Sequence, residues 1–229
     1  MANINLNSIL NMTNENEEIL KIVLIGESSV GKTSIINQFI EKTFQEYLQS
    51  TVGGTFNSKL IRCEDLNKTL KLEIWDTAGQ ERYRSVSKMF YKDADVVLLV
   101  YDITKKTSYE ALQTYWVKQV LENSSKNTLL YIIANKSDLI NLEQVDEEEA
   151  RDYSKSINAS FFVVSAKDST LINELFKDVA KKYSGAKNVI IMDLSDEDSN
   201  AFQIQKIRKD SVIITKKALT EPKKKKSCC

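Results

Sequence analysis

The chain has 229 residues, 42% hydrophobic and 28% charged, which suits one soluble domain of ordinary size with some length to spare. Its 32 basic and 32 acidic residues cancel, so no overall field draws it to nucleic acid or to an anionic surface. It has no histidine, which excludes imidazole acid–base catalysis, Ser-His-Asp triads and histidine-ligated zinc.

Residues 1–17 are polar and Asn-rich and read as a disordered extension. Ile19–Ile25 then forms an apolar run with the character of a buried strand. Gly26-Glu27-Ser28-Ser29-Val30-Gly31-Lys32-Thr33-Ser34 follows, and Ile35, Ile36, Phe39 and Ile40 recur at helical spacing behind it. Strand, G-x-x-x-x-G-K-[ST] loop and helix make a phosphate-binding unit, in which backbone N–H groups and the helix N-terminus surround an oxyanion. Gly26 and Gly31 let the backbone approach it. Lys32 offers charge to the β- and γ-phosphates, and Thr33 a hydroxyl to Mg²⁺.

Thr55–Arg62 and Thr69–Asp76 are joined by a short polar link and read as a hairpin; Leu70, Leu72 and Ile74 alternate with polar neighbours. Asp76-Thr77-Ala78-Gly79-Gln80-Glu81 lies at the carboxyl end of that strand, the edge where open α/β sheets bind ligands. Asp76 is placed to hold Mg²⁺, the Gly79 N–H to meet a γ-phosphate oxygen, and Gln80 to orient a water without titrating. Continuously apolar Val96–Tyr101 reads as a strand covered on both faces; Leu129–Ala134 and Phe161–Val164 repeat the style. Helices are expected over Tyr109–Glu122, Glu147–Ile157 and Ile172–Tyr183, the second opened by Asp146 and Glu149 in a capping-box pattern. The sum is an α/β fold of the P-loop NTPase type: a six-stranded, mostly parallel sheet with one antiparallel edge strand and helices on both faces.

Asn135-Lys136-Ser137-Asp138 follows another buried strand. A carboxylate at Asp138 accepts from both guanine donors, N1–H and the N2 amine, where adenine presents the wrong pattern. Asn135 is placed to tie this loop to the phosphate loop, and Lys136 to lay its stem along a base. Ser165-Ala166-Lys167 adds a third loop whose backbone N–H suits guanine O6.

In this order, G-x-x-x-x-G-K-T, D-T-A-G-Q-E, N-K-x-D and S-A-K resemble the Ras superfamily of small GTPases from about Ile19 to Tyr183. The resemblance implies GTP hydrolysis with Mg²⁺, with Gln80, Lys32 and Thr51 as the catalytic set. It implies that Thr51 joins Thr33 and Asp76 in the Mg²⁺ shell when GTP is bound, and that Phe44 packs against guanine. Lys71–Ser85 and the terminal Cys228-Cys229 are closest to the Rab branch, and Ser50–Phe56 to its early-endosomal group. That branch implies an effector surface at Phe56, Trp75 and Phe90, with Phe90 where relatives usually carry Tyr.

Residues 184–229 read as a flexible tail, in which Val189–Met192 and Val212–Ile214 are too short to build a core of their own. From Gln205 onward nine basic residues face two acidic ones, and Lys223–Lys226 directly precede the cysteines. Three cysteines, Cys63 distant from the terminal pair, make no disulfide framework and fit a reducing cytosol. No apolar run approaches the ~20 residues of a membrane span, no secretory leader is visible, and Ala2 excludes N-myristoylation. The Rab resemblance implies geranylgeranyl groups on Cys228 and Cys229, reinforced by the lysines. It further implies an exchange factor, a GTPase-activating protein, a GDP-dissociation inhibitor or prenylation escort, and effectors. The expected protein is a monomer without nucleic-acid partners, held on the cytosolic face of an intracellular membrane such as the early endosome, with an escort-bound cytosolic pool. The alternatives are an inactive nucleotide-bound scaffold and a P-loop nucleotide kinase.

Overall fold

The computed structural model of the chain describes residues 17–51, 54–79 and 89–192. Seven strands form one sheet: β1 (Glu17–Ile25), β2 (Gly54–Cys63), β3 (Lys68–Thr77), β4 (Val96–Asp102), β5 (Leu129–Asn135), β6 (Ser160–Val164) and β7 (Val189–Met192). Their order is β6-β5-β4-β1-β3-β2-β7. β1 lies parallel between β3 and β4, and β5 and β6 continue that direction. β2 runs antiparallel to β3, as the hairpin pattern requires.

Helices α1 (Lys32–Ile40) and α5 (Ile172–Ser184) cover one face of the sheet. Phe39 and Phe176 stack there at 3.8 Å between ring centroids. The other face is covered by α2 (Lys106–Ala111), a π-helical turn over Leu112–Trp116, α3 (Val117–Asn123) and α4 (Glu147–Ser156). All seven residues of β4 are buried, which is why its sequence shows no alternation. Each of its aliphatic side chains contributes ~1.5–3 kcal/mol by leaving water. The Asp146 carboxylate accepts the Glu149 N–H at 2.8 Å, so the expected N-cap of α4 is present.

The sheet departs from the expected six strands at its edge. β2 is antiparallel but is not the edge strand, because β7 pairs antiparallel with Leu60–Cys63. Gly185 closes α5 at φ 76°, and the Asp65 carboxylate then accepts the N–H groups of Lys187 and Asn188 at 2.8 and 3.2 Å. These bonds turn the chain back along the sheet, where Val189 and Ile191 join the core already built by α5 and β2. Four residues need no core of their own when they extend an existing one. The sheet therefore extends past Tyr183 to Met192. The N-terminal extension up to residue 16 and the tail from residue 193 lie outside the described residues.

Candidate functional site

The carboxyl ends of β1, β3, β5 and β6 bring four loops around a cleft of about 390 Å³, a volume suited to a small ligand. At one end sits the phosphate loop. Gly26, at φ 145°, passes so close to β4 that a Cβ would stand 2.2 Å from the Val100 carbonyl oxygen. Lys32 is 5% exposed, and its ammonium donates to the carbonyls of Gly26 and Glu27 at 2.9 and 2.8 Å. Burial lowers its pKa to about 8, opposed by the charges of Asp76 and Glu27. Lys32 is thus a desolvated cation beside a cleft that Ser28, Ser29, Gly31, Ser34 and Gly79 also line.

Thr33, Thr51 and Asp76 converge at the same end. Thr33 donates its hydroxyl to Asp76 Oδ2 at 2.6 Å; the two threonine hydroxyls are 3.0 Å apart, and Thr51 donates to the same carboxylate oxygen at 3.3 Å. Asp76 is 1% exposed, and its Oδ1 has no hydrogen-bond partner among the described residues. Burial raises its pKa, partly offset by the Thr33 hydrogen bond, the Lys32 charge and the Thr51 hydrogen bond. A buried carboxylate with an open oxygen beside two hydroxyls fits a hard divalent cation of the Mg²⁺ kind, which binds few carboxylates and completes its shell with water and phosphate oxygens. No group of three His, Cys, Asp or Glu side chains capable of holding a metal occurs among the described residues, so the site has no all-protein cage.

The other end is joined through Asn135. Its Nδ2 donates to the Val30 carbonyl at 2.8 Å, and its Oδ1 accepts the Ala166 N–H at 3.3 Å, so one amide links the phosphate loop to the third loop. Gly31, at φ 95°, is part of this joint: a Cβ there would stand 2.3 Å from Asn135 Nδ2. Lys136 adopts the left-handed conformation, φ 70°, and sends its ammonium to Asp102 at 2.6 Å. Asp138 accepts from the Ser165 hydroxyl at 2.7 Å, which aims its carboxylate. Phe44, Lys136, Asp138, Ala166 and Lys167 all line the cleft. A carboxylate acceptor, a lysine stem and an aromatic edge around one opening suit a planar base.

The Ras family profile matches residues 21–185. Human Ras-related protein Rab-22A is 39% identical over 163 residues, spanning 71% of this chain and 82% of that protein. Ras-related protein Rab-22A of the dog, Canis lupus familiaris, is 38% identical over 167 residues, spanning 73% and 84%. This chain belongs to the Rab branch of the Ras family. As a small GTPase it hydrolyses GTP to GDP and phosphate.

In this GTPase the three aromatics Phe56, Trp75 and Phe90 form one contiguous row, with centroids 5.2 and 5.7 Å apart. Phe56 is 47% exposed. Gln80 and the terminal Cys228 and Cys229 lie outside the described residues. Two contributors escaped sequence reasoning. Asp102, fully buried at the end of β4, anchors Lys136; its signal was a lone acid closing an apolar run. Thr77 lines the cleft and donates to the Leu24 carbonyl at 2.7 Å, tying β3 to β1; it stands in the Asp76–Glu81 motif, which gives no sign of this bond.

Proposed function

We propose that this Rab GTPase is a membrane-attached switch in vesicular trafficking, at endosomal membranes, active when GTP is bound and turned off by hydrolysis. The observation that carries the reading is the convergence of Lys32, the Thr33–Thr51–Asp76 group and the Asn135–Asp138 loop on a single cleft. In this reading Lys32 and the loop amides hold the β- and γ-phosphates, while Asp138 selects guanine, with Phe44, Lys136, Ser165, Ala166 and Lys167 around the base. Thr33, Thr51 and Asp76 would hold Mg²⁺, which when bound supplies positive charge against the phosphate oxygens.

Gln80 orients a water in line with the γ-phosphorus. The new P–O bond forms as the bond to the β-phosphate oxygen breaks, leaving GDP and phosphate. No histidine serves as base, so the domain acts by positioning and charge, and unaided turnover is on the order of 10⁻⁴ s⁻¹. The γ-phosphate gives Thr51 and Gly79 a ligand, and its loss releases both segments. Phe56, Trp75 and Phe90 then serve as the surface through which effectors sense the bound state.

Attachment rests on prenylation of Cys228 and Cys229 with help from Lys223–Lys226. No helix among the described residues is long and apolar enough to cross a membrane. Exchange factor, activating protein and prenyl-binding escort complete the cycle. The deciding experiment pairs single-turnover GTP hydrolysis with fractionation of cells. Gln80→Leu slows intrinsic hydrolysis at least tenfold with binding retained, and deletion of both terminal cysteines moves the protein to the soluble fraction. An unchanged rate removes Gln80 from the mechanism, and persistent membrane association removes the prenyl anchor.

A further inference from the structure

Glu27 is the acidic residue of the phosphate loop, yet it does not line the cleft. Its backbone carbonyl faces inward and accepts from Lys32 at 2.8 Å. Its carboxylate turns the other way, where Oε1 accepts from Trp116 Nε1 at 3.0 Å across 89 residues of sequence. Trp116 is 0% exposed, packed in the core on the α2–α3 face, and sits in the π-helical turn over Leu112–Trp116. Such turns change the register of a helix and recur at functional sites. The carboxylate stays within electrostatic reach of the site, since its charge acts on the Lys32 ammonium. An acidic group free to swing inward would face a polyphosphate across a short, poorly screened distance.

We infer that Trp116 is a positioning residue for nucleotide binding: its indole N–H holds the Glu27 carboxylate on the helix side of the loop, away from the polyphosphate. The inference rests on the nucleotide reading above and adds to it a residue outside every motif. GTP, with one phosphate more, depends on this restraint more than GDP does.

The test measures dissociation constants of full-length protein for GDP and GTP, with Mg²⁺ present and across a salt series. Trp116→Phe keeps an aromatic ring and removes the donor. It weakens GTP binding about tenfold and GDP binding less, the size expected for a lost hydrogen bond to a charged group. Glu27→Asp retracts the carboxylate by one methylene while leaving the tryptophan intact, and produces the same loss. Both losses change little as salt rises, because the two groups are poorly screened. Adding Glu27→Gln to Trp116→Phe recovers most of the affinity, because no charge remains to be misplaced. Wild-type affinity in both single variants overturns the inference. A double variant as weak as Trp116→Phe alone also overturns it, since that pattern means lost packing. Wild-type protein that fails to bind GDP sinks the nucleotide reading itself, whereas normal wild-type binding with unaffected variants sinks only the role of Trp116.

Discussion

The two ends of the cleft are built by different physics. At the phosphate end the charged groups are buried, Lys32 at 5% and Asp76 at 1% exposed; backbone carbonyls hold Lys32, and the hydroxyls of Thr33 and Thr51 hold Asp76. At the base end Lys136 and Asp138 are half-buried and Phe44 is exposed, and side chains do the holding: Ser165 holds Asp138, Asp102 holds Lys136, and Asn135 holds backbone groups of both neighbouring loops. Burying a charge is costly unless it is paired, so the phosphate end can exist only as part of the folded core. Changes there should disturb folding and binding together. Changes at the base end should alter selectivity and leave the fold intact.

The largest expected effect is Gly26→Ala, which places a methyl 2.2 Å from the Val100 carbonyl oxygen at a backbone angle unfavourable to alanine. It should cost about 3 kcal/mol of folding stability in a denaturant titration and abolish measurable nucleotide binding. A variant that melts normally but binds nothing would separate what the comparison joins. Asp138→Asn comes next. The amide still accepts the Ser165 hydroxyl but no longer accepts from two guanine donors with a full charge. GDP affinity should fall by roughly two orders of magnitude and preference over other purines should narrow, with stability changed by less than about 0.5 kcal/mol.

A pH series distinguishes the ends without mutation. Lys32 has its pKa lowered to about 8 by burial, and a bound phosphate keeps the ammonium protonated. Above pH 8, binding must take up a proton, so GDP affinity should decline by up to about tenfold per unit. The folding sign is opposite. Between pH 8 and the ordinary lysine value of 10.5, the unfolded chain binds more protons at this group than the nucleotide-free native state, so this group's contribution to native stability rises with pH. Affinity that stays flat from pH 7 to 9.5 would remove Lys32 as the charge that meets phosphate. The smallest effect belongs to Ser165→Ala, which frees Asp138 from its 2.7 Å hydrogen bond. It should weaken GDP binding about fivefold, read by calorimetry.

Most of this site was legible because its parts sit at strand ends in short loops, where residue type, spacing and flanks are local. Asn135 could be assigned its linking role in advance, since an amide at that strand end has both a donor and an acceptor to offer. Relations that depend on distant segments were not legible. β7 is four residues long, and Asp65, more than 120 positions upstream, helps turn it onto β2. Asp102 closes an apolar run and Trp116 sits on the core side of an amphipathic helical stretch, and their polar atoms acquire partners only when the sheet closes. The π-helical turn is invisible to a 3.6-residue period, which marks one unbroken helix over that stretch.

The most direct measurement is calorimetric titration of nucleotide-stripped protein with GDP, with and without Mg²⁺, against ADP as control. Saturable GDP binding that weakens when Mg²⁺ is chelated, with ADP at least a hundredfold weaker, is the predicted result. Equal binding of both nucleotides, or no binding of GDP with Mg²⁺ present, would contradict the account.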